Sequence, residues 1–241
     1  MDGVAGGALD RGGMRGPLPC LAGLAHSAAT GLELPASGGT RPGAGRSQDP
    51  AVEAGALAGV KKKAEKEGRT IVFIDESGLS ERPHRCRTWA PKGKPPVLQY
   101  HCNWKTLSAM AGVTWWNFYF RLFPGAIRSP QIIEFLSHLL RHIPGGMLIV
   151  WDGLPGHRSR MVWDFVRQQH GRLWLEFLPA YAPELNPVEY LGSHWKQHEL
   201  PNFCPTTFGQ LSHYARQALR RRRRRPARVV AFWQQANLFP L

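Results

Sequence analysis

The chain has 241 residues and a formal net charge of +14, room for one or two domains and a basicity beyond what solubility requires. Its four cysteines, Cys20, Cys86, Cys102 and Cys204, form no Cys-x-x-Cys pair, which argues against a zinc knuckle or a disulfide framework and fits reduced cytosolic thiols. No stretch approaches the roughly 18–20 apolar residues of a membrane span, and the N-terminus lacks the basic and apolar regions of a secretory signal.

The charge is uneven. Residues 1–60 hold four Lys/Arg against five Asp/Glu, whereas the remainder holds 27 against 12. That surplus points to a polyanionic partner, nucleic acid above all. Residues 1–60 also hold 14 Gly and 12 Ala but no aromatic residue, while all 25 aromatics lie downstream. With little apolar surface to offset ordering entropy, this segment is expected to be mostly disordered. Residues 61–68, Lys-Lys-Lys-Ala-Glu-Lys-Glu-Gly, read as a charged linker or short helix.

From Arg69 onward the pattern is α/β. Ile71–Asp75 is an apolar, β-branched run of the kind found in a buried strand. Thr106–Thr114 and Phe118–Leu122 read as strands, and Trp115-Trp116-Asn117 between them suggests a hairpin. Ser129-Pro130 starts a helix, with Ser as N-cap and Pro in first position. Its stripe runs from Ile132 to Ile143 at helical spacing. Met147–Asp152 is the next strand, Met161 to Val166 marks a helix, and Leu173–Leu178 is another strand. Helices follow from Asn186 to about Glu199 and from Thr207 to about Arg221. This order predicts a mixed five-stranded sheet with helices on both faces.

Two of these strands close on an aspartate, Asp75 and Asp152. Glu189 follows Asp152 with 36 residues between. A charge at the end of a buried strand is costly unless paired, so three acids converging at one sheet edge would suit a divalent cation. Each has a structural alternative. Asp152-Gly153 is a turn signal. Glu189 falls at N3 of a helix with Asn186 as N-cap and Pro187 at N1, the capping-box position. Glu76 and Glu184 compete as further acids.

The surrounding words carry more. Ile-Val-Phe-Ile-Asp75-Glu-Ser-Gly, Arg87-Thr-Trp-Ala-Pro-Lys-Gly, Val-Trp-Asp152-Gly-Leu-Pro-Gly-His157 and Pro-Glu-Leu-Asn-Pro-Val-Glu189-Tyr-Leu occur in that order. From about Lys61 to the C-terminus the chain resembles the catalytic domain of a DDE transposase, in the bacterial insertion-sequence branch of the mariner superfamily. The resemblance implies an RNase H-like fold over residues 69–241, with Asp75, Asp152 and Glu189 as the catalytic, metal-holding acids. It implies Mg²⁺, with Mn²⁺ able to substitute, and Asp75 bridging two ions. It also implies metal-dependent DNA cleavage at transposon ends and strand transfer into target DNA, commonly at TA. The expected partners are DNA and a second copy of the chain, in the bacterial cytoplasm at the nucleoid and not at a membrane.

Several residues carry secondary expectations. His157 could touch the scissile phosphate or orient a ligand, or be a partly exposed loop histidine. Trp89, with Arg87, Lys92 and Lys94, could stack on and contact DNA, or Trp89 could pack in the core. Arg220, Arg221, Arg222, Arg223, Arg224 and Arg225 end a helix, where cations are favoured and guanidinium forks match phosphate. Two departures stand out. Residues 1–60 resemble no helix-turn-helix, so the chain reads as a truncated or frame-altered copy, or as one of two polypeptides from the element with a separate helix-turn-helix polypeptide as the other. Gly192 stands where the family commonly has Trp, which would loosen the hold on Glu189. The competing readings are thus a catalytically impaired DNA-binding remnant and a different RNase H-like nuclease; the Asn-Pro-Val-Glu context disfavours the latter.

Overall fold

A computed structural model describes residues 59–90, 97–100, 105–179 and 183–238. The expected disorder of 1–58 and the placement of Lys92 and Lys94 lie outside these residues.

One five-stranded sheet organises the chain in the order β3-β2-β1-β4-β5. The strands are β1 (Thr70–Ser80), β2 (Thr106–Val113), β3 (Phe118–Pro124), β4 (Met147–Trp151) and β5 (Leu173–Phe177). The first three form an antiparallel meander, and β4 and β5 join β1 in parallel. Thr114 and Asn117 close the hairpin by mutual backbone and side-chain hydrogen bonds. The helices are α1 (59–66), α2 (Ser129–His142), α3 (Arg160–Arg167), α4 (Pro187–His194), α5 (Phe208–Arg223) and α6 (Pro226–Gln235).

Alternation along the strands sorts side chains between two cores. Val72, Ile74, Ile149 and Trp151 point to the side covered by α2 and α3. Phe73, Leu148 and Val150 point to the side covered by α4, α5 and α6. By the same parity, Asp75 and Asp152 belong to the α4 side.

Four boundaries differ from the sequence reading or settle it. First, β1 continues five residues past Asp75, because Glu76–Ser80 stay paired with β2. Second, residues 61–68 take the short-helix alternative of their two readings and pack on the folded domain: α1 buries Ala64, Lys61 donates to the Leu238 carbonyl, and Lys63 pairs with Glu176 at 3.1 Å. Third, Arg128 and not Ser129 is the N-cap of α2; its amide donates to Gln131 Oε1 at 3.1 Å. Ser129 Oγ is free to bond Ser159 Oγ, the cap of α3, at 2.8 Å, tying the two helix starts together. Fourth, the helix expected to run to Glu199 changes after His194 into a π-helical turn, Trp195–Glu199.

On α2, His138 packs against Phe135, Tyr119 and His142. Burial, then the charges of His142, Arg121, Arg141 and Arg223, push its pKa down to about 4. The unfolded chain binds this proton near pH 6.5 and the folded chain does not. Stability from this residue is therefore intact above about pH 6.5 and is lost as pH falls toward 4. Melting temperatures at pH 7.5 and 5 should diverge less in a His138→Gln variant than in the wild type; equal divergence would remove His138 as a contributor.

Candidate active site

The site forms where the sheet splits. β1 pairs with β4 only from Thr70 to Phe73, matching Met147 to Val150. Beyond Phe73 the two strands part, and Asp75 and Asp152 face the opening. Asp75 Oδ1 accepts the Glu76 amide at 2.7 Å, and Asp152 Oδ1 accepts the Leu154 amide at 3.2 Å.

Asn186 brings the third acid to this place. It is buried, its Nδ2 donates to the Ile74 carbonyl at 3.4 Å, and its Oδ1 accepts the Val188 amide at 3.1 Å. One side chain thus caps α4 and fastens it to β1 immediately before Asp75. Pro187 at the first helical position needs no N–H partner there. The Asn186 cap is made to Val188, and Glu189 faces Asp75. Burial first, then the Glu189 carboxylate and the Asp152 carboxylate, raise Asp75 up to about 7, against the Glu76 amide, which favours ionisation.

His157 is buried to 1 % exposure, not a half-exposed loop residue. Its ring stacks on Trp151 with centroids 4.3 Å apart and planes within 5°. Nδ1 lies 2.6 Å from Asp152 Oδ1, and Nε2 lies 3.5 Å from Glu76 Oε1. Burial alone would lower its pKa, but the Asp152 and Glu76 carboxylates outweigh that and push it up to about 9. In return, His157 and the Leu154 amide hold Asp152 below the ordinary range despite its partial burial. Sequence reasoning missed this arrangement, since Glu76 and Trp151 come from different strands. As placed, no three His, Cys, Asp or Glu side chains among the described residues stand close enough together to hold one metal ion.

Gly192 lies over β1, where an added Cβ would come 3.2 Å from Ser77 Oγ. Val188, Leu191 and Trp195 are buried around it, so α4 is packed despite the missing side chain. A cavity of about 20 Å³ remains, lined by Asp75, Ser77, Glu189, Gly192 and Trp195 among others, with room for about one water. Gly192→Ala should stabilise the fold by up to about 1 kcal/mol through helix propensity, with Ser77 Oγ turning aside. Denaturant titration checks this; a net loss would show that Ser77 cannot yield.

The remaining sequence candidates separate cleanly. Trp89 is 100 % exposed, which removes the core-packing alternative. Its loop is tied down upstream, where Asn202 exchanges two hydrogen bonds with the Cys86 backbone at 2.9 and 3.0 Å. Arg222 is buried and ion-paired with Glu199, so it does not face solvent with its neighbours. Arg221 also reaches Glu199, at 3.2 Å, but stays largely exposed. Arg220, Arg223, Arg224 and Arg225 are exposed.

Residues 70–207, more than half of the chain and spanning all three acids, match the family model described as DDE superfamily endonuclease. The chain belongs to this family. Solved structures similar to this DDE endonuclease domain include the mariner Mos1 paired-end complexes with Mg and with Mn. Identity is 17 % and 18 %, the TM-score is 0.56 for both, and 90 % of this chain and 64 % of that chain are covered. The Mos1 catalytic domain with raltegravir and Mg is 14 % identical with a TM-score of 0.50, over 78 % of this chain and 88 % of that one. At these identities the likeness is one of fold, and the mixed sheet is RNase H-like. The chain spans about 64 % of the length of the Mos1 transposase chains in the paired-end complexes. No curated protein sequence matches.

Proposed function

We propose that this DDE endonuclease domain is the catalytic part of a transposase of the bacterial insertion-sequence branch of the mariner superfamily. It cleaves DNA at transposon ends and transfers the strand into target DNA. The observation that carries the proposal is the meeting of Asp75 and Glu189 beside Asp152 at the parting of β1 and β4.

The donor set fits a hard divalent cation. It is all carboxylate oxygen, and a cation would offset both the burial and the neighbouring carboxylates that raise Asp75. Asp75, Asp152 and Glu189 would hold Mg²⁺, with Mn²⁺ as substitute. The metal, when bound, would activate the attacking water or 3′-hydroxyl and stabilise the charge developing on phosphorus and the leaving oxygen. The protein contributes orientation: β1 fixes Asp75, the Asn186 clamp fixes Glu189, and the Leu154 amide and His157 fix one oxygen of Asp152.

DNA would be held outside this centre. Trp89 offers a face for base stacking, and Lys92 follows three residues later in the sequence. Arg220, Arg221, Arg223, Arg224 and Arg225 offer phosphate contacts of low sequence content. A second copy of the chain would join the two ends in the bacterial cytoplasm, and a separate helix-turn-helix polypeptide would supply end recognition.

Labelled DNA carrying the element's terminal repeats, incubated with the protein and Mg²⁺ or Mn²⁺, should be nicked at the transposon end. Asp152→Ala should abolish nicking and leave DNA binding within about twofold. An Asp152→Ala protein that cuts at the wild-type rate would sink the assignment. Binding without nicking by the wild type would favour the second reading, a catalytically impaired remnant. That reading has its own observation: among the described residues no group of three or more His, Cys, Asp or Glu side chains is arranged to hold a metal ion.

A further inference from the structure

We infer that His157 is the positioning residue for Asp152: it takes up one carboxylate oxygen and leaves the other for metal. This rests on the metal reading of Asp152 given above.

The geometry leaves little other use for the side chain. His157 has 1 % of its surface exposed and lies flat on Trp151, so its ring plane is set by β4 itself. In that plane Nδ1 meets Asp152 Oδ1 at 2.6 Å and the Asp152 carbonyl at 3.2 Å. The Leu154 amide bonds the same Oδ1, so Oδ1 is doubly engaged, and these donors leave Oδ2 to other partners. Asp75 shows the same division, with Oδ1 engaged by the Glu76 amide. Each aspartate thus has one oxygen fixed locally by N–H donors. Carboxylates that bind metals are ordinarily oriented by such outer partners, whose loss weakens metal affinity by about 10–100-fold.

The other ring nitrogen faces Glu76. This acid follows Asp75 directly and, by strand alternation, points to the opposite face of β1. Nε2 of His157 has no hydrogen-bond partner among the described residues, and the acid facing it is Glu76 Oε1 at 3.5 Å. The imidazole therefore spans from the loop after β4 to β1 across the parted strands, with a carboxylate at each end. A direct contact to the scissile phosphate, one of the three sequence readings of His157, would require the ring to leave its stack on Trp151.

Full-length, metal-stripped protein titrated with Mn²⁺ in a calorimeter, without DNA, tests this. His157→Ala should bind Mn²⁺ about 10–100-fold more weakly than wild type. His157→Asn places an amide N–H where Nδ1 stood and should recover most of that loss. His157→Gln, whose amide lies nearer the Nε2 position, should not. DNA binding in EDTA should be the same for all four proteins. The inference is overturned if His157→Ala binds Mn²⁺ like wild type while Asp152→Ala does not. It is also overturned if the variants lose DNA binding in EDTA, which would make His157 a DNA contact. Should His157→Ala fail to fold, the Asn and Gln variants decide by their order, and equal loss in both counts against the inference. An Asp152→Ala protein that binds Mn²⁺ normally would overturn the metal reading itself, and this inference with it.

Discussion

Asp75→Asn is expected to lower metal-dependent cleavage by about a thousandfold or more while leaving the metal-free protein at least as stable as wild type. The first effect follows from scale. Charge stabilisation by a bound cation is worth several kcal/mol, and each 1.36 kcal/mol is a factor of ten in rate. The second follows from the direction of the Asp75 shift. Its folded pKa of about 7 lies above the ordinary 3.8, because burial and the neighbouring Glu189 and Asp152 oppose ionisation. Stability from the protonated acid is complete below the unfolded pKa and is lost as pH rises through about 7. At pH 8 in EDTA the wild type therefore carries an unfavourable charge that Asn lacks. Asn also keeps the oxygen that accepts the Glu76 amide. Melting curves in EDTA at pH 8, set beside cleavage assays, check both halves. Wild-type cleavage, or a melting temperature well below wild type, contradicts the assignment.

Trp233→Ala is expected to cost about 3–5 kcal/mol, the usual scale for truncating a buried aromatic. Trp233 is fully buried on α6. It meets Phe73 edge-on at 5.2 Å and Trp115 at 5.7 Å, and its indole N–H donates to the Thr114 carbonyl at 2.9 Å. It therefore locks the last helix to β1 and to the hairpin at once. Trp233→Phe retains most of the packing but strands the Thr114 carbonyl, which should cost about 1–3 kcal/mol. Urea titrations of the two variants separate packing from hydrogen bonding. A loss below about 1 kcal/mol for alanine, the low end of what a lost hydrogen bond alone costs, would mean α6 contributes little to the fold.

What can be read from the chain divides by the range of the interactions. The strands and helices with strong periodicity stand in their expected order, and the words around Asp75, Asp152 and Glu189 lead to the family. The Asn186 cap is legible as well, since capping is local. Its second hydrogen bond, to Ile74, is not, because nothing near Asn186 names a partner 112 residues away. The extension of β1 to Ser80 is hidden for a similar reason. Glu76-Ser77-Gly78 has no strand-like composition, and only the register with β2 makes it one. Val229–Leu241 reads as apolar enough to dock on the core, yet Pro226 after an arginine run obscures that Pro226–Gln235 forms a helix. Among the six arginines, composition does not tell that Arg222 turns inward. That depends on Glu199, which the π-helical turn carries to it.

The continuation of β1 beyond the parting of the sheet bears on how a ligand set can be assembled. Asp75 sits within a stretch laddered to β2 over eight consecutive residue pairs, whereas Asp152 lies just past the end of β4 and Glu189 in the first turn of an eight-residue helix. One acid is thus fixed by strand pairing, and the other two are fixed by local hydrogen bonds at element ends, the Asn186 clamp and the Leu154–His157 pair. On the proposed reading, any adjustment to a bound cation falls on the loop after β4 and on α4, since moving Asp75 would break the β1–β2 ladder. Affinity could then be tuned by substitutions in those two segments while the strand that carries Asp75 stays unchanged.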